Sequence, residues 1–106
     1  STRLVVDCRG LGLVRSMSPV VKTPDGLAVY GNKIKDYDAI TKYGAADFAL
    51  DPIRIQRAGN TPLVIKAVGL TNDNKYPTIS TEDADKVLAA DKLTQFLEAT
   101  NVVFLQ

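Results

Sequence analysis

Arg3-Leu4-Val5-Val6-Asp7-Cys8-Arg9-Gly10-Leu11-Gly12-Leu13-Val14-Arg15-Ser16-Met17 is the stretch on which the fold turns. Leu4, Val6 and Cys8 alternate with Arg3, Asp7 and Arg9, the period-two pattern of a half-buried strand, and Val5 is the one apolar residue on the polar side. Gly10 and Gly12 permit a tight reversal into a second extended run, Leu13 to Met17, which Ser18-Pro19 ends. The stretch therefore reads as an N-terminal hairpin. Beyond it Val20-Val21-Lys22-Thr23 is extended, Pro24-Asp25-Gly26 is a turn, and Leu27 to Lys33 resumes a strand pattern, so the hairpin continues as a meander.

A second pair of strands follows the same logic. Ile53, Ile55 and Arg57 alternate with Arg54 and Gln56, and Leu63, Ile65 and Ala67 alternate with Val64, Lys66 and Val68, around a turn at Gly59-Asn60. A three-residue loop, Gly59-Asn60-Thr61, sets Ile55 opposite Ile65 and Ile53 opposite Ala67 on one face, with Arg54 opposite Lys66 and Gln56 opposite Val64 on the other. One face is then apolar and the other polar and cationic. Two like charges directly opposed are unfavourable unless an anion lies over them, so Arg54, Gln56 and Lys66 are candidate contacts to an anionic partner; the alternative is that both cations splay into water. Between the two pairs, Ile34, Tyr37, Ile40 and Tyr43 could line a short helix, Gly44-Ala45-Ala46-Asp47 reads as a loop, and Asp51-Pro52 closes the segment.

Ser80-Thr81-Glu82-Asp83 opens a helix, with Ser80 as the N-cap and acidic residues in the first turn, where the helix dipole favours them. Ala89, Ala90, Leu93, Phe96, Leu97 and Thr100 fall on one arc, expected to pack on the sheet or on a partner, while Asp85, Asp91, Lys92, Gln95 and Glu98 cover the opposite side. Leu88 lies on the polar side, as an exposed leucine or a subunit contact. Asn101 is a C-cap, and Val102-Val103-Phe104-Leu105 is a strand or an apolar tail seeking a partner. The fold class expected from these elements is α+β: an antiparallel meander sheet with an N-terminal hairpin and a C-terminal helix, in a single domain spanning residues 1–106.

The 106 residues include 13 Lys plus Arg, 12 Asp plus Glu, one Cys and no His, for a net charge of +1. Without His, Ser-His-Asp and Cys-His catalysis and the commonest metal ligand are excluded, and one Cys forms neither an intramolecular disulfide nor a CxxC knuckle. The near-neutral total hides alternating blocks. Arg3, Arg9, Arg15, Lys22, Lys33 and Lys35 against Asp7 and Asp25 make residues 1–35 basic, and Arg54, Arg57, Lys66 and Lys75 against Asp73 do the same for 52–79. Residues 36–51 and the helix region are acidic. No apolar run approaches a membrane span, and Ser1-Thr2-Arg3-Leu4 lacks a signal-peptide h-region, so the expected context is intracellular or an assembled particle, without secretion by a signal peptide.

Catalytic patterns are sparse. The carboxylate pairs Asp36 with Asp38 and Asp83 with Asp85 lie in no EF-hand or P-loop pattern, and such spacing is common on solvated surfaces. Asp7-Cys8-Arg9-Gly10-Leu11, with Pro19-Val20-Val21-Lys22-Thr23, resembles the start of the TusA-like sulfur carriers. That family's reactive cysteine lies in a Cys-Pro-x-Pro motif, and the matching stretch Gly12 to Pro19 has no cysteine, which leaves Cys8 an inward-facing strand residue. Thr71-Asn72-Asp73-Asn74-Lys75 reads as a turn. No cofactor and no metal are expected.

The order of elements, with the hairpin at Leu4 to Met17, strands at Ile53 to Val68 and the capped helix opening Ser80-Thr81-Glu82, resembles the coat proteins of single-stranded RNA bacteriophages. The resemblance implies a non-enzymatic structural protein that dimerises, self-assembles into a capsid and binds RNA on a cationic sheet face. On that reading Arg54, Gln56 and Lys66 meet RNA, and Leu88, Leu93, Phe96, Leu97, Val103 and Phe104 make dimer or assembly contacts. The partners are then a second copy and RNA, with no membrane, and the location that the resemblance implies is a virion or host cytoplasm. The family has two C-terminal helices where little here follows Thr100. One alternative is a monomeric nucleic-acid-binding accessory protein, a viral polyprotein product, since Leu105-Gln106 and Ser1 resemble the two sides of a chymotrypsin-like viral cysteine-protease site. Another is a small enzyme without histidine, using Tyr, Lys and Asp.

Overall fold

The computed structural model describes residues 3–16, 19–31, 47–49, 62–94 and 102–106. Within them are β1 (Leu4–Asp7), β2 (Val21–Lys22), β3 (Ala28–Tyr30), β4 (Asp47–Ala49), β5 (Leu63–Lys66), β6 (Gly69–Thr71), β7 (Tyr76–Thr78), α1 (Thr81–Thr94) and β8 (Val102–Leu105). They build an α+β fold of two sheets, in the orders β4-β8-β1-β5 and β3-β2-β7-β6.

The first sheet is parallel throughout, which corrects the expected antiparallel meander and N-terminal hairpin. Instead of pairing with the residues after Gly12, β1 lies between β5 and β8: Leu4 is level with Leu63 and Val102, and Val6 with Ile65 and Phe104. A central parallel strand is covered on both faces and needs apolar side chains on both. That requirement accounts for Val5, the residue that broke the alternation. It is buried with Val103 and Leu105 in a cluster on one face, while Leu4 and Val6 belong to the main core on the other. The alternation of a half-solvated strand holds along β5 and the two residues after it, where Ile65 and Ala67 are buried and Val64, Lys66 and Val68 are exposed. Its proposed hairpin partner, residues 53–57, and the helix and loop readings over 34–46 and 51–52 lie outside the described residues.

The antiparallel expectation holds in the second sheet, where β2 pairs with β3 and β6 with β7, but the two hairpins join through a parallel β2–β7 contact. The turn between β2 and β3 forms as its sequence predicts. Thr23 is buried and organises it: its N–H donates to the Leu27 carbonyl at 2.9 Å, its Oγ1 accepts the Leu27 N–H at 3.1 Å, and its hydroxyl also meets the Asp25 carboxylate. Asp25 is thereby held below the ordinary carboxylate range. Between the sheets lies one core that combines Leu4, Val6, Val102 and Phe104 with Val21, Tyr30 and Ile79.

Helix α1 begins where the sequence places it. The Asp83 N–H donates to Ser80 Oγ at 3.1 Å, and the Ala84 N–H donates to the Ser80 carbonyl at 2.9 Å. Removing that acceptor with Ser80→Ala is expected to cost about 1 kcal/mol, read as a lower urea midpoint, with Ser80→Thr close to the parent. The phase of the helix differs from the predicted arc. Ile79 is pinned to β2 by its N–H bond to the Lys22 carbonyl at 2.9 Å, so the cap fixes the helix with Ala84 and Val87 inward, facing the core and β3. Ala89 and Leu93, expected on the packing arc, are exposed, and Ala90 is half-buried.

The tail after the helix is β8, a strand in the interior of the parallel sheet. Val103 and Phe104, expected as assembly contacts, are thus corrected to core residues, Phe104 with no exposed surface at all. Four consecutive apolar side chains each gain about 1.5–3 kcal/mol from burial, and a central strand buries all of them at once. No described helix is long and apolar enough to cross a membrane.

Candidate functional site

Parallel pairing brings the carboxyl ends of β1, β5 and β8 to one edge, the edge at which parallel α/β sheets gather their ligand-binding loops. Asp7 ends β1 there, level with Lys66 on one side and Leu105 on the other. Its carboxylate is forked by Arg9, with Nε at 2.9 Å from Oδ1 and Nη2 at 2.8 Å from Oδ2, and the Arg9 backbone N–H adds a bond to Oδ1 at 3.1 Å. The arginine fork is the main cause that holds Asp7 below the ordinary carboxylate range, and Lys66 adds to it. Such a carboxylate is a poor proton carrier near neutral pH, but it makes a firm clamp on the start of the loop.

The loop then turns back on itself. Leu11 donates its N–H to the Cys8 carbonyl at 3.1 Å, and Gly10, at φ 84°, occupies the position of a four-residue turn that requires a positive φ. From there the chain crosses to the second sheet, where the Val14 N–H reaches the Asn74 carbonyl at 2.8 Å. Asn74 belongs to the β6–β7 turn, in which Asn72, Asp73 and Asn74 are all left-handed, at φ 53°, 57° and 64°. Asn and Asp are the side chains that tolerate this conformation best, which is why the turn is spelled Asn-Asp-Asn. The two loops form a braced rim that exposes Arg9, Leu11 and Val14, the last two at 39% and 44%. The sequence marks this rim only indirectly, through the glycines flanking Leu11 and the run of left-handed formers.

The residues expected to meet RNA are not brought together by any described contact. Lys66 is exposed beside Asp7, and Arg54 and Gln56 lie outside the described residues. Leu88 and Leu93 are exposed on α1, while Phe96 and Leu97 also lie outside. Of the carboxylate pair on the helix, Asp83 is half-buried with Lys86 Nζ at 3.7 Å, and Asp85 is exposed. Among the described residues no group of three His, Cys, Asp or Glu is placed to share a metal ion.

Cys8 points inward, its thiol directed at the Val6 carbonyl at 3.8 Å. Burial pushes the thiol from its ordinary 9.0 up to about 12, with the Asp7 charge adding to the shift, and burial raises the Tyr30 phenol as well. The fold favours the neutral form of each, so their contribution is complete below the unfolded-state values and is lost as pH rises through the folded ones. The urea midpoint is therefore expected to hold level up to about pH 8.5 and to fall steadily above about pH 9. Ellman's reagent should label Cys8 only in denaturant; rapid labelling of the native protein, or a midpoint flat into strong alkali, would contradict the burial of both groups.

A comparison with curated proteins finds no match. A family model does match, that of Treponema pallidum Tp0624, second domain, over residues 3–106. This bacterial family overturns the resemblance to RNA-phage coat proteins, whose antiparallel meander the parallel sheet had already displaced. With a match that spans nearly the whole sequence, the chain belongs to the family of the Tp0624 second domain.

Proposed function

We propose that the chain is a non-enzymatic recognition domain of a larger protein, and that it meets its partner through the rim formed by residues 9–14 and 72–74. The observation that carries this reading is the bracing of exposed apolar side chains. Leu11 and Val14 stand out from loops fixed by the Asp7–Arg9 fork and the Val14–Asn74 bond, so little conformational entropy remains to be lost on binding. A family named for the second domain of a bacterial protein supports the modular part of the reading. The one cysteine is turned inward and the Asp7 carboxylate beside the rim is engaged by Arg9, which favours recognition over chemistry.

Photocrosslinking in the full-length protein tests the proposal. A photoreactive phenylalanine analogue at position 11 or 14 should give the same discrete adduct. The analogue at Leu27 should not, because the β2–β3 turn lies at the opposite end of the second sheet from the β6–β7 turn. Adducts from Leu27 alone, or none from the rim, would refute the assignment.

A further inference from the structure

The outward face of α1 carries a stripe of exposed apolar side chains. Leu93 is 87% exposed and Leu88 38% exposed, and Ala89 lies between them in the same stripe. The cap at Ser80 sets the helix so that the smaller Ala84 and Val87 face the core and the leucines face out. The stripe also has an ordered charge pattern, with exposed Asp85 on its N-terminal side and exposed Lys92 on its C-terminal side.

We infer that this face is the interface of a two-fold dimer in which α1 packs antiparallel against α1 of a second copy. An antiparallel pair centred between Leu88 and Ala89 sets Leu88 of each copy against Ala89 of the other. The same register sets Asp85 against Lys92 at both ends. The two charges on the stripe itself, Asp85 and Lys92, are met by their opposites, and that pattern is self-complementary, as an isologous interface requires. Parallel pairing in register would instead put Asp85 against Asp85 and Lys92 against Lys92. The exposed Leu93 then covers the first turn of the neighbouring helix. A second copy is thus the occupant whose charges this face fits.

The helix is 14 residues long, or about 21 Å, so the contact is small and the dimer is weak. Sedimentation equilibrium from about 5 to about 500 µM should show the mass rising from monomer toward dimer. Asp85→Lys and Lys92→Asp should each raise the dissociation constant by about tenfold or more, by placing like charges at both ends. Mixed in equal amounts, the two variants should associate with each other at least as well as the parent chain does with itself, since all four facing charges are then opposite. Both positions are exposed, and circular dichroism should show the parent helix content in each variant. A parent chain that stays monomeric over the whole range would overturn the inference. So would a dimer that neither substitution weakens, or variants that fail to recover association when mixed.

Discussion

Phe104→Ala is expected to cost about 3–5 kcal/mol, a large part of the roughly 5–15 kcal/mol that holds a domain of this size together. The side chain has no exposed surface and sits on the core face of β8, level with Val6 of β1 and backed by the second sheet. Truncation removes the transfer free energy of a benzyl group and leaves a cavity that a strand flanked by β1 and β4 cannot close by moving. Urea denaturation followed by circular dichroism measures the loss, and Phe104→Leu should recover most of it. The same pair of variants separates a core role from the assembly role that the isolated sequence suggested. If Phe104 were a subunit contact, Phe104→Leu would change the association state at unchanged stability. The expected result is the reverse.

Gly31→Ala should be comparably damaging, at roughly 3 kcal/mol or more, although it adds one methyl group near the surface. Gly31 follows β3 at φ 111°, a conformation side-chain-bearing residues rarely adopt. A β-carbon there would lie 2.6 Å from the Pro19 carbonyl oxygen and 3.0 Å from the Val20 α-carbon, and both are backbone atoms that cannot rotate away. Two independent costs therefore add, one of backbone strain and one of overlap. Gly69→Ala is the control: its φ is ordinary and nothing lies within 4 Å of the added carbon, so it should be neutral or slightly stabilising. Thermal melts of the two variants should differ by well over 10 °C, at about 4–8 °C per kcal/mol for a domain near this size. Equal melting temperatures would mean that the approach of Gly31 to Pro19 is not held in solution.

Where the sequence was read well, the signal was local. The Ser80 cap and the Thr23 to Leu27 turn are closed by bonds that span at most four residues, and the alternation through Leu63 to Ala67 and the inward Cys8 follow from the period of neighbouring residues. The misreadings share a different cause. Gly10 and Gly12 do reverse the chain, as their φ of 84° shows, but a reversal fixes only the direction of departure and not what the chain pairs with next. The reversed segment goes to Asn74 on the other sheet, while the strand it left finds Leu63 and Val102 as neighbours of Leu4. The rim that stands as the candidate site shares that history, because Val14 and Asn74 meet only through pairings distant in sequence.

By itself, the sequence determined the strand at Leu4 to Asp7, the turns at Pro24 to Gly26 and Thr71 to Lys75 and the start of the helix at Ser80, because hydrophobic period, capping and turn chemistry act over one to four residues. Val5, apolar where the alternation calls for a polar residue, also carries the sign that β1 is buried on both faces. Only the tertiary structure decided that the sheet is parallel, that the apolar end is its interior, and which side of α1 faces water. Those choices are set by the joint burial of Leu4, Ile65 and Phe104, residues whose separation in the chain no local rule can bridge.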